Sequence, residues 1–178
     1  MESSALAASP VKLMASATAS PRNRDGVILM ENSPAKNSSG LAELKLDCPA
    51  RITALHGALD AIEQACNTWK VDTALVSRAR IVVEELFSNT IKYGYGGECE
   101  RPVRLGLTPR PELTLTYEDE APPFNPLAWK AKPDEALPLQ DRPIGQAGIA
   151  MVTGLAARVS YQRRGGANCL TVIFAEKR

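Results

Sequence analysis

Apolar residues recur along this chain with two different periods, and each period marks a different kind of element. Leu41 to Asp47 alternates apolar and polar side chains, the two-residue repeat of a half-buried strand. Pro49 and Ala50 then lead into a stretch where Ile52, Leu55, Leu59, Ile62, Cys66 and Trp69 make one apolar stripe at helical spacing. Asp72 or Thr73 supplies a cap for a second helix, in which Leu75, Ala79, Val82, Leu86 and Tyr93 repeat that spacing. The run Tyr93-Gly94-Tyr95-Gly96-Gly97 stops it. Val103 to Thr108 and Leu113 to Glu118 predict a hairpin around Pro109-Arg110-Pro111. Gly148 to Ala157 predicts a third helix, and Val159 to Gln162 pairs with Asn168 to Ala175 across Gly165-Gly166. Helices accompanying one mixed or antiparallel sheet make the fold class α+β, a two-layer sandwich.

Composition narrows the function classes more than it narrows the fold. Residues 1 to 40, rich in Ser, Ala, Pro and Asn without sustained periodicity, read as a disordered tail ahead of a domain over 41–178. Met30 stands just before that domain and offers an alternative start, which the intact mass of the native protein would decide. The 178 residues suffice for one domain with a real core, and the net charge of +1 argues for neither nucleic acid nor a membrane surface. No apolar run approaches the roughly 18 residues of a membrane span, and the N-terminus lacks the compact apolar core of a secretory signal. Cys48, Cys66, Cys99 and Cys169 are scattered, with no CxxC pair and a single histidine, His56. They read as buried or half-buried apolar residues in a reducing cytosol rather than as a zinc site. His56 reads as structural or surface. Residues 127 to 144, proline-bearing and of mixed charge, form a long loop of the functional or mobile kind.

The candidate chemistry sits on the second helix. Glu85, Asn89 and Lys92 are four and three residues apart, so a carboxylate, an amide and an ammonium share one side of it. A carboxylate can take a proton, an amide oxygen can ligate a hard cation, and an ammonium can meet a phosphate. Together they suggest chemistry on a metal-bound nucleotide; a solvated helix face shows the same spacing. Glu84, rotated by about one hundred degrees, faces solvent. Further on, Asp119 ends an alternating strand and is followed by Glu120-Ala121-Pro122-Pro123-Phe124-Asn125-Pro126. The run Asp141-Arg142-Pro143-Ile144-Gly145-Gln146-Ala147-Gly148-Ile149 is a glycine-bearing loop leading into a helix. These three segments, in this order, resemble the N, G1 and G2 boxes of the GHKL ATPase/kinase superfamily, which has the Bergerat ATP-binding fold. The nearest likeness is to the small stand-alone serine kinases that act as bacterial anti-sigma factors, and it spans Leu41 to the C-terminus.

That resemblance implies a set of roles. Asn89 would ligate Mg²⁺ and Glu85 would be the general base, while Lys92 and Tyr93 would stand at the nucleotide. Asp119 would accept a hydrogen bond from the adenine amino group. Ala121 stands where the family usually has glycine; Pro122 pushes it toward extended backbone, where alanine is unstrained. Phe124, Arg142, Gly145, Gly148 and Ile149 would complete the ATP site, with residues 127 to 144 as a lid anchored by Phe124 and Trp129. Gln146 and Ala147 depart from the family pattern. The implied cofactors are ATP and Mg²⁺. The implied partners are a STAS-type anti-anti-sigma protein, phosphorylated on serine or threonine, and a sigma factor held inactive. No direct contact with nucleic acid or membrane is expected, and the location is cytoplasmic. Members of the family often pair through the sheet side, so a homodimer is also implied. The rival reading, favoured by Ala121, Gln146 and Ala147, is a nucleotide-dependent switch that phosphorylates nothing. A third is a domain that kept the fold and lost the nucleotide.

Overall fold

The computed structural model describes residues 28–29, 35–36, 42–128 and 146–175. Strand β3 (Ala42–Pro49) buries Leu44, Leu46 and Cys48 and turns Glu43, Lys45 and Asp47 the other way. It is followed by α1 (Ile52–Trp69), whose Ala54, Leu55, Ala58, Leu59, Ile62 and Cys66 are buried. The Ile52 N–H at its start donates to Glu98 Oε1 at 2.6 Å. Lys70, left-handed at φ 56°, ends the helix by donating back to Asn67 O. Asp72 caps α2 (Thr73–Asn89), taking the N–H groups of Ala74 at 2.9 Å and Leu75 at 3.4 Å. Next come β4 (Pro102–Thr108), β5 (Leu113–Asp119), α3 (Gln146–Leu155), β6 (Arg158–Arg164) and β7 (Ala167–Phe174).

The sheet runs β3-β4-β5-β7-β6, and every pairing in it is antiparallel. Alternation puts Val103, Leu105 and Leu107 of β4, Leu115 and Tyr117 of β5, and Leu170, Val172 and Phe174 of β7 on one face. There they meet the buried stripes of α1 and α2. The other face carries Arg104, which ion-pairs with Asp47, Glu118 and Glu120. The result is the α+β two-layer sandwich expected from the sequence. No described helix is long and apolar enough to cross a membrane.

Three expectations need correction. Tyr93 was expected on the apolar stripe of α2 but is 54 % exposed, while Thr90 and Ile91 are buried. The cause is a π-helical turn over Thr90–Gly94, in which the Tyr95 N–H reaches Thr90 O at 2.8 Å. Thr90 and Ile91 still follow the stripe, four residues after Leu86 and Phe87, but beyond them the wider turn changes the phase and carries Tyr93 outward. Secondly, Ile28–Leu29 (β1) and Ala35–Lys36 (β2), inside the expected tail, pair with β3. β4 covers only one side of β3, and the open edge offers N–H and C=O groups to any extended segment. Thirdly, the third helix begins at Gln146 and ends at Leu155, short of Ala157. The Ala157 N–H is bonded instead to Ile173 O at 2.8 Å. Most of the 127–144 loop, including Trp129 and Arg142, lies outside the described residues, as does Gly145.

Candidate functional site

Asp119 is the last residue of β5 and is only 6 % exposed. A carboxylate so placed must be met by donors, and three are present. Thr90 Oγ1 donates to Oδ2 at 3.0 Å, while the Ala121 N–H at 2.9 Å and Asn168 Nδ2 at 2.8 Å donate to Oδ1. The Thr90 hydroxyl is oriented in turn by Tyr117, whose O–H donates to it at 2.7 Å. Burial raises the Tyr117 phenol well above its ordinary range, against the opposing pull of its bond to Thr90, so it stays a donor. Two carboxylate oxygens offer about four lone-pair directions. With three filled, one acceptor position remains, on Oδ2.

The segment after Asp119 is fixed from both sides. Tyr95 accepts the Glu120 N–H at 2.8 Å and donates to Pro102 O at 2.9 Å, and Arg101 lies 4.2 Å over its ring. Arg163 Nη1 donates to Ala121 O at 2.8 Å. Ala121 is buried and does not adopt positive φ; among the described residues Lys70 is the one non-glycine that does. Its methyl sits against Gly94, where an added Cβ would come within 2.9 Å of it. The space that a glycine at 121 would leave is filled, and the absent side chain at 94 makes room.

On α2, Asn89 Nδ2 donates to Glu85 Oε1 at 2.7 Å, one helical turn away. That bond turns the amide oxygen of Asn89 away from Glu85 and leaves it available as a neutral ligand. Glu85 also passes over Gly148 on the second residue-pair of α3, so closely that any Cβ at 148 would overlap its carboxylate. Glu85 is half-buried and Glu84 exposed, as the helical rotation between them requires. Asn89 and Thr90 are neighbours, one tied to Glu85 and the other to Asp119. A single turn therefore couples the two halves of the site.

A model of the histidine kinase-like ATPase domain matches residues 48–174. The chain belongs to that family. The match covers both halves of the site, from the α2 carboxylate to the strand that carries Asn168. No curated relative matches the chain. As a histidine kinase-like ATPase domain the protein has a nucleotide-binding fold, and the donor set suits ATP. The open Oδ2 position needs an N–H donor, and the Asn89 oxygen offers one neutral ligand. Among the described residues no group of three or more His, Cys, Asp or Glu could hold a metal ion. A magnesium ion here would depend on nucleotide phosphates and water for its remaining ligands.

The structure brings together Glu85, Asn89, Asp119, Ala121 and Gly148. It leaves Lys92 exposed, with no ion pair among the described residues, since the π turn begins between it and Asn89. Phe124 is 56 % exposed rather than anchored, Tyr93 is turned outward, and Ile149 is half-buried on α3. Sequence reasoning missed Thr90, Tyr117, Arg163 and above all Asn168. A signal for Asn168 was present: it shares strand parity with Leu170, Val172 and Phe174, an amide on an otherwise apolar face.

Proposed function

We propose that this ATPase domain is an ATP-dependent serine/threonine protein kinase that acts as an anti-sigma factor in a partner-switching pathway. Its protein substrate would be a STAS-type anti-anti-sigma protein, and its location the cytoplasm. The observation that carries the nucleotide part is buried Asp119, with donors on all but one of its acceptor positions. Adenine carries an amino group that can donate there, whereas guanine presents a carbonyl oxygen that cannot. The Asn89 oxygen, freed by the bond from Nδ2 to Glu85, is the magnesium ligand. When bound, MgATP supplies the phosphoryl group and the positive charge that eases its transfer. Glu85 accepts the proton of the partner's serine hydroxyl, and Asn89 holds the carboxylate in place for it. The anti-sigma role and the STAS partner rest on the sequence resemblance alone.

One observation favours the rival, a nucleotide-dependent switch without transfer. The Glu85 carboxylate gives Oε1 to Asn89 and is pressed onto Gly148, which leaves a partner's hydroxyl little room on that side. Two measurements decide between them. Calorimetric titration with MgATP tests the pocket, and Asp119→Asn should weaken binding at least about ten-fold. Mass spectrometry of a purified STAS partner after incubation with MgATP tests transfer. A phosphoserine establishes the kinase; ATP binding with an unmodified partner leaves the switch.

A further inference from the structure

Asp119, Asn168 and Arg163 lie in one row across β5, β7 and β6, as register partners in adjacent strands. The row places a carboxylate, an amide and a guanidinium side by side. A carboxylate only accepts, so Asn168 must present its nitrogen to Asp119 and its oxygen to β6. Nothing in an isolated amide enforces that choice. Here the oxygen receives three donors: Arg163 Nη1 at 2.8 Å, Tyr161 O–H at 3.0 Å and the Phe124 N–H at 3.2 Å. The nitrogen donates to Asp119 Oδ1 at 2.8 Å and to Pro122 O at 3.2 Å. Reversing the amide would set its NH₂ against two groups that can only donate, Arg163 Nη1 and the Phe124 N–H, and its oxygen against the carboxylate. Asn168 is 3 % exposed, so each of its lost partners leaves a buried polar atom to be satisfied.

We infer that Arg163 and Tyr161 of the edge strand, acting through Asn168, are positioning residues that set which purine Asp119 accepts. This rests on the adenine reading of Asp119 given above. With Asn168 held, Oδ1 is filled and the single vacancy lies on Oδ2, aimed at a base that donates an exocyclic amino group. With Asn168 free to reverse or removed, Oδ1 loses one of its two donors, keeps only the Ala121 N–H, and the carboxylate is held less tightly. The stretch Asp119–Phe124 loosens with it, because Asn168 and Arg163 hold Ala121 O, Pro122 O and the Phe124 N–H. Arg163 is itself exposed, on a strand with one uncovered edge, so its effect is separable from folding.

The test titrates the full chain and the variants Arg163→Ala, Arg163→Lys and Asn168→Ala with MgATP and MgGTP. Amide hydrogen exchange at Ala121 and Phe124 is followed in the ligand-free proteins. Arg163→Ala should lower the ATP-over-GTP preference about ten-fold, the size expected for losing one charge-assisted hydrogen bond. Arg163→Lys should restore most of it, and Asn168→Ala should lower it further; both Ala variants should speed exchange at the two amides. An unchanged preference and unchanged exchange in folded Arg163→Ala would overturn the inference, whether or not Asn168→Ala folds. If the wild type binds neither nucleotide, the adenine reading falls and the purine-setting role falls with it. Exchange would still reveal whether the row holds the Asp119 segment, so the two failures are told apart.

Discussion

The buried polar side chains at this site are held by partners, and those around Asp119 leave it one direction in which to act. Among the described residues no buried side-chain nitrogen or oxygen lacks a hydrogen bond. Thr90 shows what that satisfaction is worth. It takes the Tyr117 O–H and gives its own to Asp119, both in the interior. Thr90→Val keeps the shape but empties Asp119 Oδ2 and leaves the Tyr117 O–H only its longer bond to Leu86 O at 3.3 Å, so unfolding in urea should show a loss of about 1–3 kcal/mol. A loss of only a few tenths would mean that water replaces the hydroxyl. Glu85→Gln makes the complementary prediction. The amide keeps the shape and can still accept from Asn89, but it cannot take a proton. MgATP affinity should therefore stay within about three-fold while phosphate incorporation into the partner falls at least about a hundred-fold. Normal incorporation would remove Glu85 from the mechanism.

At the scale of elements, α2 and α3 meet where Glu85 crosses Gly148, and the contact admits no side chain there. Gly148→Ala should displace the half-exposed carboxylate into solvent and break its bond from Asn89. Because the flexible end of Glu85 yields rather than the backbone, the melting midpoint should hardly move while transfer drops. A large fall in the midpoint with unchanged transfer would show that α3 shifts instead. The far end of α3 is fixed differently: Arg78 of α2 donates to Leu155 O at 3.5 Å and to Ala175 O at 3.0 Å. The elements themselves were legible in the sequence because one apolar period governs each. Both long helices, the two hairpins and the Asp72 cap follow from spacing and turn residues. The π turn was not legible: Thr90 and Ile91 still continue the α-helical stripe four residues after Leu86 and Phe87, and only beyond them does the change of winding turn Tyr93 outward. Asp119 and Glu85 were legible as carboxylates in telling places. Their partners were harder to see, since Asn168 comes beside Asp119 only through strand register, forty-nine residues along the chain.

Across the whole molecule, the layer between sheet and helices buries groups that resist ionisation, and this sets the response to alkali. Burial, aided by nearby Asp47, pushes the Cys48 thiol from 9.0 up to about 12, and burial alone takes Cys66 from 9.0 to about 11. Tyr117 is raised as well, chiefly by burial. In each case the folded protein holds its proton more tightly than the unfolded chain does. The stability these groups contribute is therefore fully present below pH 9, where both states are protonated. It is lost as pH rises from about 9 toward 11 for Cys66 and 12 for Cys48, with a slope near 1.4 kcal/mol per pH unit per thiol. Denaturant midpoints should be flat with respect to these groups from pH 7 to 8.5 and then fall steadily to pH 11. Cys48→Ala would lose some packing at every pH, yet its curve should fall less steeply on the alkaline side. Parallel curves for the two proteins would show that the thiol ionises as readily in the folded sheet as in the open chain. Cys48 lies beside Val103 in the strand pair β3–β4, and Val103 is in turn the register partner of Asp119, so the thiol stands in the same cross-strand row as Asn168 and Arg163. Alkaline loosening of that pair should therefore reach the Asp119 segment. Exchange at the Phe124 amide, followed against pH with the global unfolding signal, should then rise no later than the global midpoint.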